Sequence, residues 1–131
     1  MSHPTVFPSL HYDDAPRAID WLERAFGAER HSVYGDGATV HHAELRFGNG
    51  IVMLGSAREG VPATRGNGGG IYVAVDDPDA RFERARAAGA EILRDLQDTD
   101  YGSREFGARD LEGNAWHFGT YQPFDHGGGD G

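Results

Sequence analysis

The chain has 131 residues, a formal net charge of −9 and no cysteine. This length suits one domain with a real core, the acidic balance disfavours nucleic acid and anionic membranes, and the lack of thiols excludes disulfides, thiolate metal sites and cysteine nucleophiles. Without a membrane-length apolar run or a signal-peptide pattern, we expect a soluble cytoplasmic protein.

The first elements in chain order are a short strand and an amphipathic helix. The strand is "TVFPSLHY", residues 5–12, and the helix lies within "DDAPRAIDWLERAFGAE", residues 13–29. Asp14 is the expected N-cap, Pro16 lies in the opening turn, and Gly27 is the expected C-terminal glycine. The spacing places Ile19, Leu22 and Phe26 on one helix face.

Three strand candidates follow this helix and complete a first unit. They are "ERHSVYG", "TVHHAELRFG" and "GIVMLGS", separated by the turn sequences "GDG" and "GNG". Residues 58–69 are rich in glycine and read as a linker.

A second unit with the same order begins at residue 70. Its first strand is "GIYVAV", and its helix opens at Asp77 and Pro78 and closes at Gly89. The later strand candidates are "EILRDLQD", "SREFGARD" and "NAWHFGTY".

The two units are copies of one pattern. Both helical segments open with Asp-Asp and close with Gly-Ala-Glu, and Asp13 and Asp76 are 63 residues apart. We therefore predict an α+β protein of two tandem βαβββ modules, residues 4–57 and 70–122, within one domain spanning residues 1–122. Residues 123–131 are expected to form a flexible tail.

The segments "HHAELRFGNGIVMLGS" and "DYGSREFGARDLEGNAWHFGTY" resemble the vicinal oxygen chelate superfamily. That group includes glyoxalase I, extradiol dioxygenases, fosfomycin-resistance enzymes and bleomycin-resistance proteins. The resemblance is strongest to the bacterial glyoxalase/bleomycin-resistance branch with the PhnB-like proteins. It implies that curved mixed sheets form a cup, and that two chains form a homodimer whose sites are walled by both.

Metal-dependent members of this superfamily hold one divalent ion with a side chain from the first and last strand of each unit. Carried over to this sequence, the four positions fall on Phe7, Met53, Gly70 and His117. Phenylalanine and glycine side chains cannot coordinate, and a thioether is a poor ligand for a hard cation. The resemblance therefore predicts no tightly bound catalytic metal and no cofactor.

Two alternatives keep the protein an enzyme. His42 and Glu44 are two residues apart and share a strand face, so with His117 they could hold Zn, Ni, Mn or Fe. Such a site would serve a lyase, isomerase or dioxygenase. In the second alternative, His117 is the general base of a metal-free reaction.

The leading interpretation is binding of a small organic molecule in the cup, with antibiotic sequestration as the role. Strand alternation places Trp116 and Phe118 in the core when His117 points into the cup. We read Arg104 and Glu105 as solvated strand charges. The residues predicted to line the ligand site are Phe7, Met53, Tyr72, Tyr101, Phe106 and His117.

Overall fold

The structure, a computed structural model, describes residues 3–66 and 68–125. Most of the predicted tail, residues 126–131, lies outside the described residues, as does residue 67 of the predicted linker. The first module contains β1 (Ser9–Tyr12), α1 (Ala15–Phe26), β2 (Glu29–Asp36), β3 (Thr39–Phe47) and β4 (Gly50–Ser56). The second contains β5 (Ile71–Ala74), α2 (Pro78–Ala87), β6 (Glu91–Asp98), β7 (Arg104–Arg109) and β8 (Ala115–Gly119), followed by a 3-10 helix (Pro123–Asp125).

Helix α1 begins and ends where its capping residues predict. The side chain of Asp14 accepts a hydrogen bond from the Arg17 amide at 3.2 Å, and Gly27 ends the helix with a φ of 77°. This left-handed backbone favours glycine because other residues place Cβ too close to the following carbonyl. Helix α2 also begins at its predicted proline, but Asp77 makes no side-chain cap and pairs with Arg81 instead.

Each module folds into one four-stranded mixed sheet. The strand orders are β1-β4-β3-β2 and β5-β8-β7-β6, with the first pair of each sheet parallel and the other pairs antiparallel. We call these sheet one and sheet two. The predicted α+β architecture of two βαβββ modules is confirmed.

Both sheets pack one face against the helices and share a single core. Phe26 of α1 contacts Trp116 at 5.5 Å and Phe118 at 5.0 Å between ring centroids, although both partners lie on β8 of the other module. Phe47 of sheet one also contacts Trp116, at 5.3 Å. The predicted core placement of Trp116 and Phe118 is confirmed, since neither is exposed.

Polar contacts also join the two modules. In α2, Arg84 donates hydrogen bonds to the carbonyls of Glu23 and Arg24 in the last turn of α1, each at 2.9 Å. The buried Tyr12 hydroxyl donates to Asp110 at 2.6 Å. Because the helix-side faces of both sheets meet in one core, the opposite faces point away from it. We call these the open faces of sheet one and sheet two.

Candidate functional site

On the open face of sheet two, a large side chain on each of β7 and β8 faces a glycine on the other strand. In the β7–β8 register, His117 pairs with Gly107 and Glu105 pairs with Gly119. A Cβ added to Gly107 would lie 2.7 Å from His117 Nδ1, and one added to Gly119 would lie 2.4 Å from Glu105 Cγ. Each glycine therefore makes room for the side chain opposite it, so that His117 and Glu105 lie flat across the sheet.

His117 is partly buried on this face, and its ring makes no hydrogen bond within residues 3–66 and 68–125. Burial lowers the pKa of the imidazole below 6.5, and the nearby Arg94 guanidinium lowers it further, against the opposing effect of Glu105. The ring is therefore neutral at physiological pH. A neutral imidazole can stack on a ring, accept a hydrogen bond or take up a proton.

Glu105 is a buried carboxylate with several donors. Its carboxylate accepts hydrogen bonds from Arg94 and from the Tyr101 hydroxyl, each at 3.0 Å. Although burial raises the pKa of this carboxyl, hydrogen bonds from Ser103, Tyr101 and Arg94 outweigh that effect and hold the pKa below its ordinary value. Glu105 is therefore ionised, and its charge is balanced by Arg94, so it is not a free acid.

Three tyrosines surround this pair. Tyr72 is opposite His117 in the β5–β8 register, and its hydroxyl donates to the Tyr121 carbonyl at 2.6 Å. The rings of Tyr101 and Tyr121 meet edge to face at 5.7 Å. Tyr72 is 38% exposed and Tyr101 58% exposed, so both rings present surface to solvent.

The open face of sheet one carries a polar network around Glu44. The Glu44 carboxylate accepts a hydrogen bond from His42 Nε2 at 2.9 Å and one from the Ser32 hydroxyl at 3.4 Å. The hydrogen bond from His42 is the largest cause of a lowered pKa for the Glu44 carboxyl. Met53 lies beside Glu44 in the register, with Ser9 on its other side.

The structure therefore brings together some predicted site residues and separates others. His117, Tyr72 and Tyr101 lie on or beside the open face of sheet two. Met53 lies on the open face of sheet one, and Phe7 lies just before β1, 38% exposed. The prediction that Phe106 lines the ligand site is wrong, because strand alternation turns it into the core. It is fully buried, stacked on Phe118 at 5.1 Å and in edge contact with Phe82 at 5.2 Å.

The two charges predicted to be solvated have different environments. Arg104 does pair at the surface, with Asp79 at 2.8 Å and Asp98 at 3.1 Å. Glu105 is only 5% exposed, so the prediction for this residue is wrong. The matching tripeptides "EFG" and "HFG" of β7 and β8 are the sequence signal that could have indicated its role. Arg94, on the irregular β6, carried no such signal.

The alternative metal set of His42, Glu44 and His117 is not assembled within one chain. His42 and Glu44 are in contact, whereas His117 lies on the open face of the other sheet. A Cβ on Gly70 would lie 3.5 Å from His117 Nε2, so the first-strand position next to this imidazole has no donor side chain. Among the residues that the structure describes, no three His, Asp or Glu side chains lie close enough together to hold a metal ion.

The chain consists of two βαβββ modules, each with one mixed sheet and one helix that packs into the shared core. This arrangement defines a class of α+β proteins built from paired modules. The family model of the Glyoxalase/Bleomycin resistance protein/Dioxygenase superfamily matches residues 3–118, and the chain belongs to this superfamily. No helix in the described part of the chain has the length and apolar character needed to cross a membrane.

Similar proteins support this assignment. The crystal structure of TioX from Micromonospora sp. ML1 is 38% identical, with a TM-score of 0.75, covering 88% of this chain and 94% of TioX. A glyoxalase/bleomycin resistance protein/dioxygenase from Nocardioides is 25% identical, with a TM-score of 0.62, covering 100% of this chain and 90% of that one. Protein Rv0887c of Mycobacterium tuberculosis is 36% identical over 131 residues, covering 88% of this chain and 74% of the relative.

Proposed function

We propose that this protein binds a small organic molecule with flat rings on its open faces, without a metal ion, and that sequestration of an antibiotic is its role. The observation that supports this most is the partly exposed Tyr72 and Tyr101 around a neutral His117. Aromatic surface with a few fixed polar groups is typical of sites for organic ligands. Membership of the PhnB-like branch stays a prediction.

The residues at the family's ligand positions do not fit a catalytic metal. Gly70 places bare backbone against His117, and the side chains of Phe7 and Met53 offer no hard donor. Glu44, the carboxylate of the alternative metal set, already accepts hydrogen bonds from His42 and Ser32. We therefore derive no reaction step through a metal ion.

The proposed site needs two chains. Within residues 3–66 and 68–125, the helices cover only the inner face of each sheet, where both sheets pack into the shared core, and leave each open face to solvent. A homodimer in the bacterial cytoplasm would place sheet two of one protomer opposite sheet one of its partner and so close the cup. Light scattering should then give a mass of twice 14.2 kDa, and a monomer at micromolar concentration would contradict this arrangement.

Isothermal titration of the chelator-treated protein tests the proposed function. The probes are bleomycin and two-ring aromatic molecules that are neutral, cationic or anionic. At least one should bind stoichiometrically with EDTA present, without chemical change to the probe. In EDTA-free buffer, added zinc, nickel, manganese or ferrous iron should leave the affinity unchanged.

The variants Tyr101→Ala and His117→Ala report on the site. We expect each to weaken binding several-fold, since stacking on a ring contributes about 1 kcal/mol. Phe124→Ala is the matched control, because Phe124 is 95% exposed and lies outside both sheets. Turnover that resists chelator and is lost in His117→Ala would instead make the protein a metal-free enzyme. Binding or turnover that requires metal would refute the proposal.

A further inference from the structure

A cavity of about 540 Å³ lies at one end of the open face of sheet one. Its volume is within the range of pockets that take small organic molecules. Phe7 and Ile51 supply apolar walls, while Arg46 and Asn49 supply hydrogen-bond donors. The cavity therefore combines ring-sized apolar surface with one strong cation.

The guanidinium of Arg46 has spare donors. Its one hydrogen bond within the described ranges 3–66 and 68–125 goes to His31 Nδ1, at 2.7 Å. Glu29 is its partner in the β2–β3 register, yet no ion pair joins the two side chains. Since a guanidinium carries five N–H donors in a planar fork, several stay available for a ligand.

His31 orients this fork by accepting a hydrogen bond from it. Arginine can only donate, so Nδ1 of His31 accepts and carries no proton. The ring proton is then on Nε2, which lies 3.8 Å from the Glu44 carboxylate. In this arrangement the His31 ring accepts at Nδ1, and Arg46 is the permanently charged cation of the cavity lining.

The charges around Arg46 determine whether the cavity prefers a ligand with one or with two negative charges. The Glu44 carboxylate is ionised and held by His42 at 2.9 Å, and Glu44 lies two residues before Arg46 on the same face of β3. A single guanidinium next to an existing anion favours a monoanion over a dianion, because the second negative charge would have no partner. The planar fork also matches the two oxygens of a carboxylate.

From this geometry we infer that the cavity binds the carboxylate of a small aromatic acid, with Arg46 as the residue that recognises it. Two parallel hydrogen bonds from the guanidinium would hold the carboxylate, and the ring of the ligand would pack against Phe7 and Ile51. Local positive charge of this kind can act even though the whole chain has a net charge of −9. The inference rests on the proposed function, and it names the class of ligand bound by the part of the proposed site that sheet one supplies.

Three matched probes test this inference: 2-naphthoate, the neutral 2-naphthamide and the dianionic 2-naphthyl phosphate. Each is titrated calorimetrically into wild type, Arg46→Gln and Arg17→Gln with EDTA present. The wild type should bind 2-naphthoate at least about tenfold more tightly than either other probe. Arg46→Gln should abolish that preference, whereas Arg17→Gln should keep it, since the Arg17 side chain lies on the exposed surface of α1.

The outcomes separate this inference from the proposed function. Equal binding of naphthoate and naphthamide, or a preference that survives Arg46→Gln, would overturn the carboxylate assignment and leave aromatic binding intact. Tighter binding of the phosphate would also overturn it. The carboxylate assignment would also be overturned if none of the three probes binds while another aromatic probe binds with EDTA present. No binding by any aromatic probe would overturn the proposed function as well.

Discussion

Single residues decide what the open faces can do, and only some of these residues could be predicted from the sequence. The alternation of side chains along β8 was enough to predict that His117 lies on the opposite sheet face from Trp116 and Phe118. The same reasoning places Phe106 in the core, once β7 is aligned with β8 in the sheet register. Glu105 was missed because a strand carboxylate is usually solvated, and its burial depends on Tyr101 and Arg94, which approach from other parts of the module.

His117 should give the protein a characteristic pH dependence. Because the folded pKa lies below the ordinary 6.5, the unfolded chain binds a proton more readily than the folded chain. The contribution of His117 is fully present above the unfolded pKa and is lost as pH falls from there towards the folded pKa. The free energy of unfolding should therefore decrease more for wild type than for His117→Gln between about pH 7.5 and about pH 5.5.

Urea denaturation at several pH values measures this difference, and a proton NMR titration of His117 checks the cause directly. A midpoint at or above 6.5, or identical pH profiles for the two proteins, would show that the imidazole is not desolvated in solution.

At the scale of elements, capping residues and turn glycines predicted most boundaries. Asp14 and Gly27 bracket α1, and Gly37 and Gly48 of the "GDG" and "GNG" segments directly follow β2 and β3. The prediction placed the first strand at residues 5–12, but β1 spans only Ser9–Tyr12. Proline at position 8 has no amide hydrogen for the ladder, which accounts for a strand that begins after it.

The crossed glycines of β7 and β8 set the positions of His117 and Glu105, and Gly107→Ala tests this. The added methyl group would meet His117 Nδ1 at 2.7 Å, so the ring must move. We expect the free energy of unfolding to decrease by about 1–3 kcal/mol, together with a changed NMR titration of His117.

Gly50→Ala is the matched strand control. Its Cβ would lie 3.5 Å from the Phe47 carbonyl oxygen, which is an ordinary contact. Its stability should stay within about 0.5 kcal/mol of wild type. If the two variants behave alike, the close approach at Gly107 does not position the histidine.

At the scale of the whole molecule, the two modules form one body rather than two independent halves. The repeat predicted the modules themselves, but their relative arrangement depends on contacts that no sequence pattern shows. The Asp110 carboxylate illustrates this, because it accepts hydrogen bonds from Tyr12 of the first module and from Trp116 and Asn114 of the second. Burial and the Asp110 charge raise the pKa of the Tyr12 hydroxyl, so it stays a donor.

Tyr12→Phe should weaken the link between the modules. The variant removes a buried, charge-assisted hydrogen bond of 2.6 Å, and we expect the free energy of unfolding to decrease by about 1–3 kcal/mol. Tyr34→Phe, in which the wild-type residue is 60% exposed, should change it by less than about 0.5 kcal/mol. Equal effects in chemical denaturation would argue against a shared core held by Asp110.

The metal content of the untagged protein tests the central claim most directly. The protein is reconstituted with zinc, nickel, manganese and ferrous iron, desalted and analysed by mass spectrometry. Because Gly70 supplies no donor beside His117, and Phe7 and Met53 offer no hard donor at the sheet-one positions, we predict far less than one metal ion per chain. Near-stoichiometric metal that disappears in His117→Ala would contradict metal-free binding and show that the protein holds a catalytic ion.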